Sequence, residues 1–175
     1  DRMKYGIAPN LSIRDNIASI YLENQKFKKG LFLNTRELNK FVDQCIEEFE
    51  IACTGSSSSV KFLSGGNIQK VIIAREFCSG ANFILANQPT RGIDIGTTDL
   101  IRRLLVRYTR EKGYGSLLIS SDLNEIMEVS DRLLVMHKGK FVAQFTDLKK
   151  LTTDELGEYM LGVKTMTKEE MGDLF

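Results

Sequence analysis

The sequence predicts an α/β fold with a mostly helical front. Three observations carry that prediction. Apolar residues recur at helical spacing through about residues 11–80. Two short strand-like runs, the apolar residues 83–86 and residues 116–120 with their Leu-Leu-Ile centre, flank an amphipathic stretch, which is the order of a βαβ unit with a right-handed crossover. Within the helical front stands Ser64-Gly65-Gly66, a glycine pair opening a further apolar helix.

Taken in order, residues 1–10 contain Gly6 and Pro9 and read as an irregular lead-in. Ser12 precedes the stripe Ile13, Ile17, Ile20 and Tyr21, with Asp15 three residues on in the arrangement of a capping box. Residues 26–30, closing on Gly30, break that helix. Asn34 and Glu37 form the next cap, and Leu38, Phe41, Val42, Cys45, Ile46 and Phe49 then lie on one helical face. The polar run 54–59 reads as a flexible linker. After the glycine pair a helix extends to about Cys78, with Val71, Ile73, Ala74 and Phe77 making a wide apolar face.

Residues 83–86 are continuously apolar, as a strand covered on both faces would be, and residues 116–120, apolar at 117–119 between two serines, read as a second buried strand. Leu100, Ile101, Leu104, Leu105 and Tyr108 mark the helix between them. Its other face carries Arg102, Arg103, Arg107 and Arg110, a solvated surface without interleaved aromatics for base stacking. Residues 122–129 make a short helix, and residues 132–136 and 140–145 alternate around Lys138-Gly139 as a hairpin. Thr152 and Glu155 cap a last helix with Leu156, Tyr159 and Met160, stopping near Gly162. The charged tail from Lys164 is expected to fray.

Composition narrows the function. With 175 residues, 42% of them hydrophobic, the chain can bury a core of ordinary size. A formal charge of +1 gives no broad field toward nucleic acid or an anionic membrane. No apolar run reaches the roughly eighteen residues of a spanning helix. Cys45, Cys53 and Cys78 lack metal-ligand spacing and fit a reducing compartment, while His137, beside Lys138-Gly139, reads as a turn residue.

Adjacent glycines allow close backbone approach, and the open amides of a helix start attract anions, so Ser64, Gly65 and Gly66 read as a phosphate-facing loop. Taken alone they read first as an ordinary turn with a serine cap. The surrounding wording decides between the two. "LSGGN" at 63–67, "FILANQPT" at 83–90, "RGID" at 91–94 and "LLISSD" at 117–122 follow one another as the signature, Walker B, D-loop and switch motifs of the ATP-binding cassette (ABC) ATPases do. The chain resembles that family over roughly residues 60–145. Its wording is most similar to the C-terminal half of the tandem ATPase subunit of bacterial simple-sugar or nucleoside importers.

The resemblance implies a partial P-loop NTPase (RecA-like) core of ABC type. Residues 1–80 would form the helical signature subdomain with its lead-in, 81–163 the second half of the core, and 164–175 a tail. No G-x-x-x-x-G-K-[ST] occurs, so the resemblance implies a fragment that starts at Asp1-Arg2, just after the family's glutamine loop. It also implies ATP and Mg²⁺ as cofactors and a peripheral place on the cytoplasmic face of the membrane. The implied partners are the other nucleotide-binding half, permease subunits and, indirectly, a periplasmic or lipid-anchored solute-binding protein, with no nucleic acid.

Residue by residue, Asn87 and Gln88 stand where the family has its metal-holding aspartate and water-polarising glutamate, and Ser121 where it has the switch histidine. An amide takes no proton near neutral pH and brings no charge to a metal. Asn87 reads equally as an amide satisfying bonds at a strand end. Ser64, Gly65, Gly66 and Asn67 match the signature, and Asp94 the D-loop aspartate, which reads also as a helix cap. An intact signature beside altered catalytic positions implies a half that completes the ATP site of a partner and hydrolyses poorly at its own. The other readings are a non-catalytic docking module for a permease, through the stripe from Leu38 to Phe49, and a soluble ABC ATPase.

Overall fold

The computed structural model describes residues 2–21, 24–29 and 32–172. Asp1 and Gly30, the first of the lead-in and the expected helix break, lie outside the described residues. The chain packs as two compact units, Asp1–Leu117 and Leu118–Phe175.

The first unit opens with a short helix, α1 (Arg2–Tyr5), where an irregular lead-in was expected. Helix α2 (Ile13–Ala18) starts at Ser12, whose side chain accepts from the Asp15 N–H at 3.0 Å, as the spacing predicts. It stops before Ile20, which is exposed rather than part of the buried stripe. The lead-in is fixed by a residue the apolar pattern overlooks. Asn16 is buried, accepts from Ala8 N–H at 2.8 Å and donates to the carbonyls of Ala8 (3.0 Å) and Ser12 (2.9 Å).

A small antiparallel pair follows, β1 (Lys28–Lys29) and β2 (Phe32–Leu33), which the sequence reading does not anticipate. Helix α3 (Thr35–Glu48) is capped by Asn34, which accepts from Glu37 N–H, and buries Leu38, Val42, Cys45 and Phe49 as expected. The serine run after it is not a free linker. The carbonyls of Ser56 and Ser58 accept from the N–H groups of Arg14 and Ile13 at 2.9 Å each, and Ser59 donates to Pro9 O at 2.9 Å. Polar residues there supply main-chain partners for the start of α2, a role that composition alone does not show.

Helix α4 (Gly65–Phe77) buries Ile68, Val71, Ile73, Ala74 and Phe77 and packs between α2, α3 and the later α5. Each large side chain so buried contributes about 1.5–3 kcal/mol. Strand β3 (Phe83–Asn87) alternates instead of being covered on both faces: Ile84 and Ala86 are buried, while Phe83 and Leu85 remain 56% and 63% exposed. A continuously apolar strand thus has only one covered face. Helix α5 (Ile95–Lys112) buries Leu100, Ile101, Leu104, Leu105 and Tyr108 as predicted. Of its arginines, Arg107 is not simply solvated, since it pairs with Glu48 of α3 at 2.6 Å. Gly113, at φ 69°, ends the helix in a left-handed turn that glycine accepts without a Cβ penalty. Strand β4 (Gly115–Ile119) shares a two-stranded sheet with β3, and Leu117 and Ile119 are exposed where a buried strand was expected.

In the second unit, Asp122 caps α6 (Leu123–Val129). Strands β5 (Leu133–His137) and β6 (Lys140–Phe145) pair antiparallel around Lys138 (φ 47°) and Gly139 (φ 78°), with an irregularity between Val135 and Met136. Two positive φ values in a two-residue connection are the mark of a hairpin turn whose twist suits its strands. Leu133, Val135, Val142 and Ala143 form a core with Leu151 and with Leu156 of α7 (Thr153–Met160), which Thr152 caps. His137 is structural, its Nδ1 lying 3.0 Å from Met160 O. The tail is more ordered than its charge predicts. Met166 N–H donates to Val142 O at 2.9 Å, and a reciprocal Thr167–Glu170 capping box starts α8 (Lys168–Met171). Among the described residues no helix is long and apolar enough to cross a membrane.

Candidate functional site

The glycine pair is where the first unit places open main-chain donors on its surface. Ser64 is the N-cap of α4, extended at φ −65° and ψ 160°, and its Oγ accepts from the Asn67 N–H at 3.4 Å and the Asn67 side-chain amide at 3.0 Å. Asn67 also accepts from Ala52 N–H at 2.8 Å, so one side chain ties the cap to the segment after α3. Ser64 and Gly65 are exposed and Gly66 is buried. As the first two residues of the helix, Gly65 and Gly66 have N–H groups with no carbonyl one turn back to accept them. A helix of 13 residues adds partial positive charge at that end. The site is therefore suited to an anion approaching along the helix axis.

Gly66 explains why the second glycine is needed. A Cβ at that position would stand 2.7 Å from Asp94 Oδ2 and 2.7 Å from Thr97 Oγ1, closer than side chains tolerate. The start of α5 thus lies directly against the start of α4. Asp94 caps α5, with Oδ1 accepting from Thr97 N–H and Oδ2 from the Thr97 hydroxyl, both at 2.9 Å. The Thr97 backbone and then side-chain bonds, with the Lys70 charge adding, hold the Asp94 carboxyl below the usual carboxylate range. The structure therefore gives Asp94 its capping role and also sets it beside the glycine pair.

Two further α4 residues fix the neighbouring loops. Gln69 donates from Nε2 to Pro89 O at 2.8 Å, and Lys70 from Nζ to Glu50 O at 2.8 Å. Sequence reasoning missed Gln69, Lys70 and Thr97. The Asp94-x-x-Thr97 spacing carries a readable cap signal, whereas the partners of Gln69 and Lys70 are twenty residues away and leave no local trace.

Asn87 ends β3 and is exposed. Gln88 follows in an unusual conformation for a residue with a side chain, φ 51°, and its carbonyl accepts from Arg91 N–H at 3.2 Å to close the turn toward Asp94. A left-handed non-glycine residue costs roughly 1–2 kcal/mol and persists only where its surroundings impose it. Ser121 belongs to the second unit, exposed just before the Asp122 cap.

A metal does not fit these residues. Among the described residues no group of three or more His, Cys, Asp or Glu is placed to hold one, and Asn87 and Gln88 bring no charge.

Comparison with known proteins follows the same lines. The chain is 37% identical to a glucose import ATP-binding protein of Haloferax volcanii over 148 residues, covering 83% of this chain and 27% of that protein. It is 35% identical to a nucleoside import ATP-binding protein of Lactococcus lactis over 93% of this chain and 32% of the relative. With a guanosine import ATP-binding protein of Bacillus subtilis it shares 33% identity over 98% of this chain and 33% of the relative. The chain thus spans about a third of the length of these relatives. Its fold is similar to a dimeric ATP-binding cassette in a post-hydrolysis state bound to ADP and Pi, with a TM-score of 0.68 at 23% identity, covering 82% of this chain and 60% of that one. It is also similar to an inward-facing metal-chelate type ABC transporter, with a TM-score of 0.70 at 18% identity, covering 92% and 64%. No protein-family model matches.

Proposed function

Because this chain belongs to the ATP-binding proteins of the ABC transporter family, we propose that it is part of the subunit that energises a sugar or nucleoside importer. In this reading the subunit works at the cytoplasmic face of the membrane against permease subunits. A solute-binding protein on the other side delivers the cargo. ATP is the nucleotide, and Mg²⁺ is held by residues outside this chain.

The observation that carries the reading is the exposed Ser64-Gly65 start of α4, with Gly66 buried beneath it against Asp94 and Thr97. Gly65 and Gly66 would donate N–H groups, and Ser64 its hydroxyl, to the γ-phosphate of ATP bound by a partner half. Donors already oriented toward developing charge stabilise it without reorganising at the moment of reaction. Asn67 holds the Ser64 hydroxyl in place from the next turn. Asp94 and Thr97, packed against Gly66, set the start of α5 beside the start of α4, so the D-loop and signature would present one surface. Residues 1–80 would form the signature-bearing helical part and 81–163 the second half of the nucleotide-binding core.

The positions that resemble the family's catalytic ones would supply no base. Neither amide at Asn87 and Gln88 can take the proton of an attacking water, and the Ser121 hydroxyl is a poor proton acceptor near neutral pH. Hydrolysis would therefore depend on what this half gives its partner. The test is steady-state ATP hydrolysis by an assembled transporter containing this chain. A carboxylate set among the phosphate-facing amides by Gly65→Asp is expected to lower turnover on the order of a hundredfold, the scale of losing a preorganised donor. Gln88→Glu is expected to leave it within about twofold, since a single restored base still lacks its metal-site and switch partners. The reverse pattern would overturn the proposed division of labour.

A further inference from the structure

Away from the glycine pair, α3 and the end of α4 bring two thiols together. Cys45, buried on α3, and Cys78, the half-buried C-cap of α4, place their sulfurs 3.7 Å apart across a sequence separation of 33 residues. Cys53, the third thiol, has no sulfur within hydrogen-bonding distance among the described residues. From this juxtaposition we infer that Cys45 and Cys78 are an oxidative modification site, at which a peroxide converts the pair into an intramolecular disulfide fastening α3 to the C-terminal end of α4.

The surroundings assign different tasks to the two sulfurs. The Tyr108 hydroxyl lies 3.8 Å from Cys78 Sγ and donates to Glu48 Oε1 at 3.0 Å. Glu48 is in turn paired with Arg107 at 2.6 Å and Lys112 at 4.0 Å, and Lys112 stands 4.0 Å from the centre of the Tyr108 ring. Cys78 thus has the Tyr108 hydroxyl, the opposing charge of Glu48 and the favouring charge of Lys112 as neighbours and is partly exposed, whereas Cys45 is buried. The hydrogen bond from the Cys45 thiol holds Cys78 below the usual thiol range, and the same bond with burial pushes Cys45 up. The more exposed sulfur, the one whose thiolate accepts a hydrogen bond, is the sulfur that reacts first.

The chemistry balances with hydrogen peroxide as the oxidant. The Cys78 thiolate attacks one peroxide oxygen, the O–O bond breaks, hydroxide leaves and takes up the thiol proton as water, and Cys78 becomes a sulfenic acid. The Cys45 sulfur then attacks Cys78 Sγ, the S–O bond breaks, and the Cys45 proton leaves with the hydroxyl as a second water. The two sulfurs have together given up two electrons. Closing the contact from 3.7 Å to a bond of about 2.0 Å asks for a movement of less than 2 Å, which neighbouring side chains on two helix ends can supply.

The experiment treats the reduced chain with dilute hydrogen peroxide, alkylates the remaining thiols and maps the digest by mass spectrometry without reductant. The expected result is a peptide pair joined through Cys45 and Cys78, lighter by about 2 Da than the two free peptides, with Cys53 alkylated and the bridge released by dithiothreitol. Cys53→Ser should leave the bridge unchanged. Cys45→Ser should leave a Cys78 sulfenic acid that dimedone captures. If that variant fails to fold, the map of the unsubstituted chain still decides. All three thiols alkylated after peroxide, a Cys78 sulfenic acid without a bridge in the unsubstituted chain, or a bridge through Cys53 would each overturn the inference.

Discussion

Replacing Gly66 by alanine tests the packing that presents the open helix start. The new Cβ would meet Asp94 Oδ2 and Thr97 Oγ1 at 2.7 Å, and these two atoms are themselves joined by a 2.9 Å hydrogen bond. The clash therefore cannot be relieved by rotating one side chain without losing that bond. Forcing an extra methyl into a filled site costs about 1–3 kcal/mol. Alanine recovers at most about 1 kcal/mol of helix propensity over glycine, and less in the first turn. The balance is a loss of about 1–2 kcal/mol. In a urea titration followed by circular dichroism this lowers the midpoint by roughly 0.3–2 M, given slopes of about 1–3 kcal/mol/M. A double-mutant cycle with Thr97→Ala sharpens the test. Removing Oγ1 opens room for the methyl and frees the Asp94 carboxylate to swing toward solvent, so the double variant should lose less than the sum of the singles, by about 0.5–1.5 kcal/mol. A neutral or stabilised Gly66→Ala protein, or strict additivity with Thr97→Ala, would refute the contact between the starts of α4 and α5.

Asn16→Ala should lower stability by about 1–3 kcal/mol, because the Ala8 N–H and C=O lose their partner in a half-buried setting; thermal melts of the two proteins check it. The Asp94 carboxyl titrates lower in the folded chain than in the unfolded one, so its stabilising bonds are fully present above the ordinary aspartate value of about 3.9 and are lost as pH falls through the lower folded value. The stability gap between the unsubstituted chain and Asp94→Asn, followed by urea midpoints across pH, should accordingly be constant near neutrality and close below about pH 4. A gap that widened on acidification would contradict the assigned hydrogen bonds.

Much of this could be read from residue order because the relevant interactions are local. The caps at Ser12, Asn34, Ser64, Asp122 and Thr152 each bond an N–H two or three residues ahead, and the stripes from Leu38 to Phe49 and Leu100 to Tyr108 repeat at helical spacing. What escaped depends on partners distant in sequence. Asn16 looks like a solvated helix residue until its bonds to Ala8 are seen, and the serines of 56–59 look like a linker until they meet α2. Phe83 and Leu85 misled in the other direction, since apolar character reports what a strand can bury and not what covers it. At the candidate site the glycine pair and its cap were legible. The reason Gly66 must be glycine was not, because it lies in Asp94 and Thr97, across the interface of two helices.

Photolabelling reads out whether Ser64 to Asn67 face the terminal phosphate of ATP held by another segment. An ATP analogue carrying a photoreactive group on its γ-phosphate is bound to an assembled transporter containing this chain, irradiated, and the labelled peptides are identified. Label is expected on the peptide bearing Ser64, Gly65, Gly66 and Asn67, lost when unmodified ATP competes. Label confined to other peptides, with this one unmarked at saturating analogue, would contradict it.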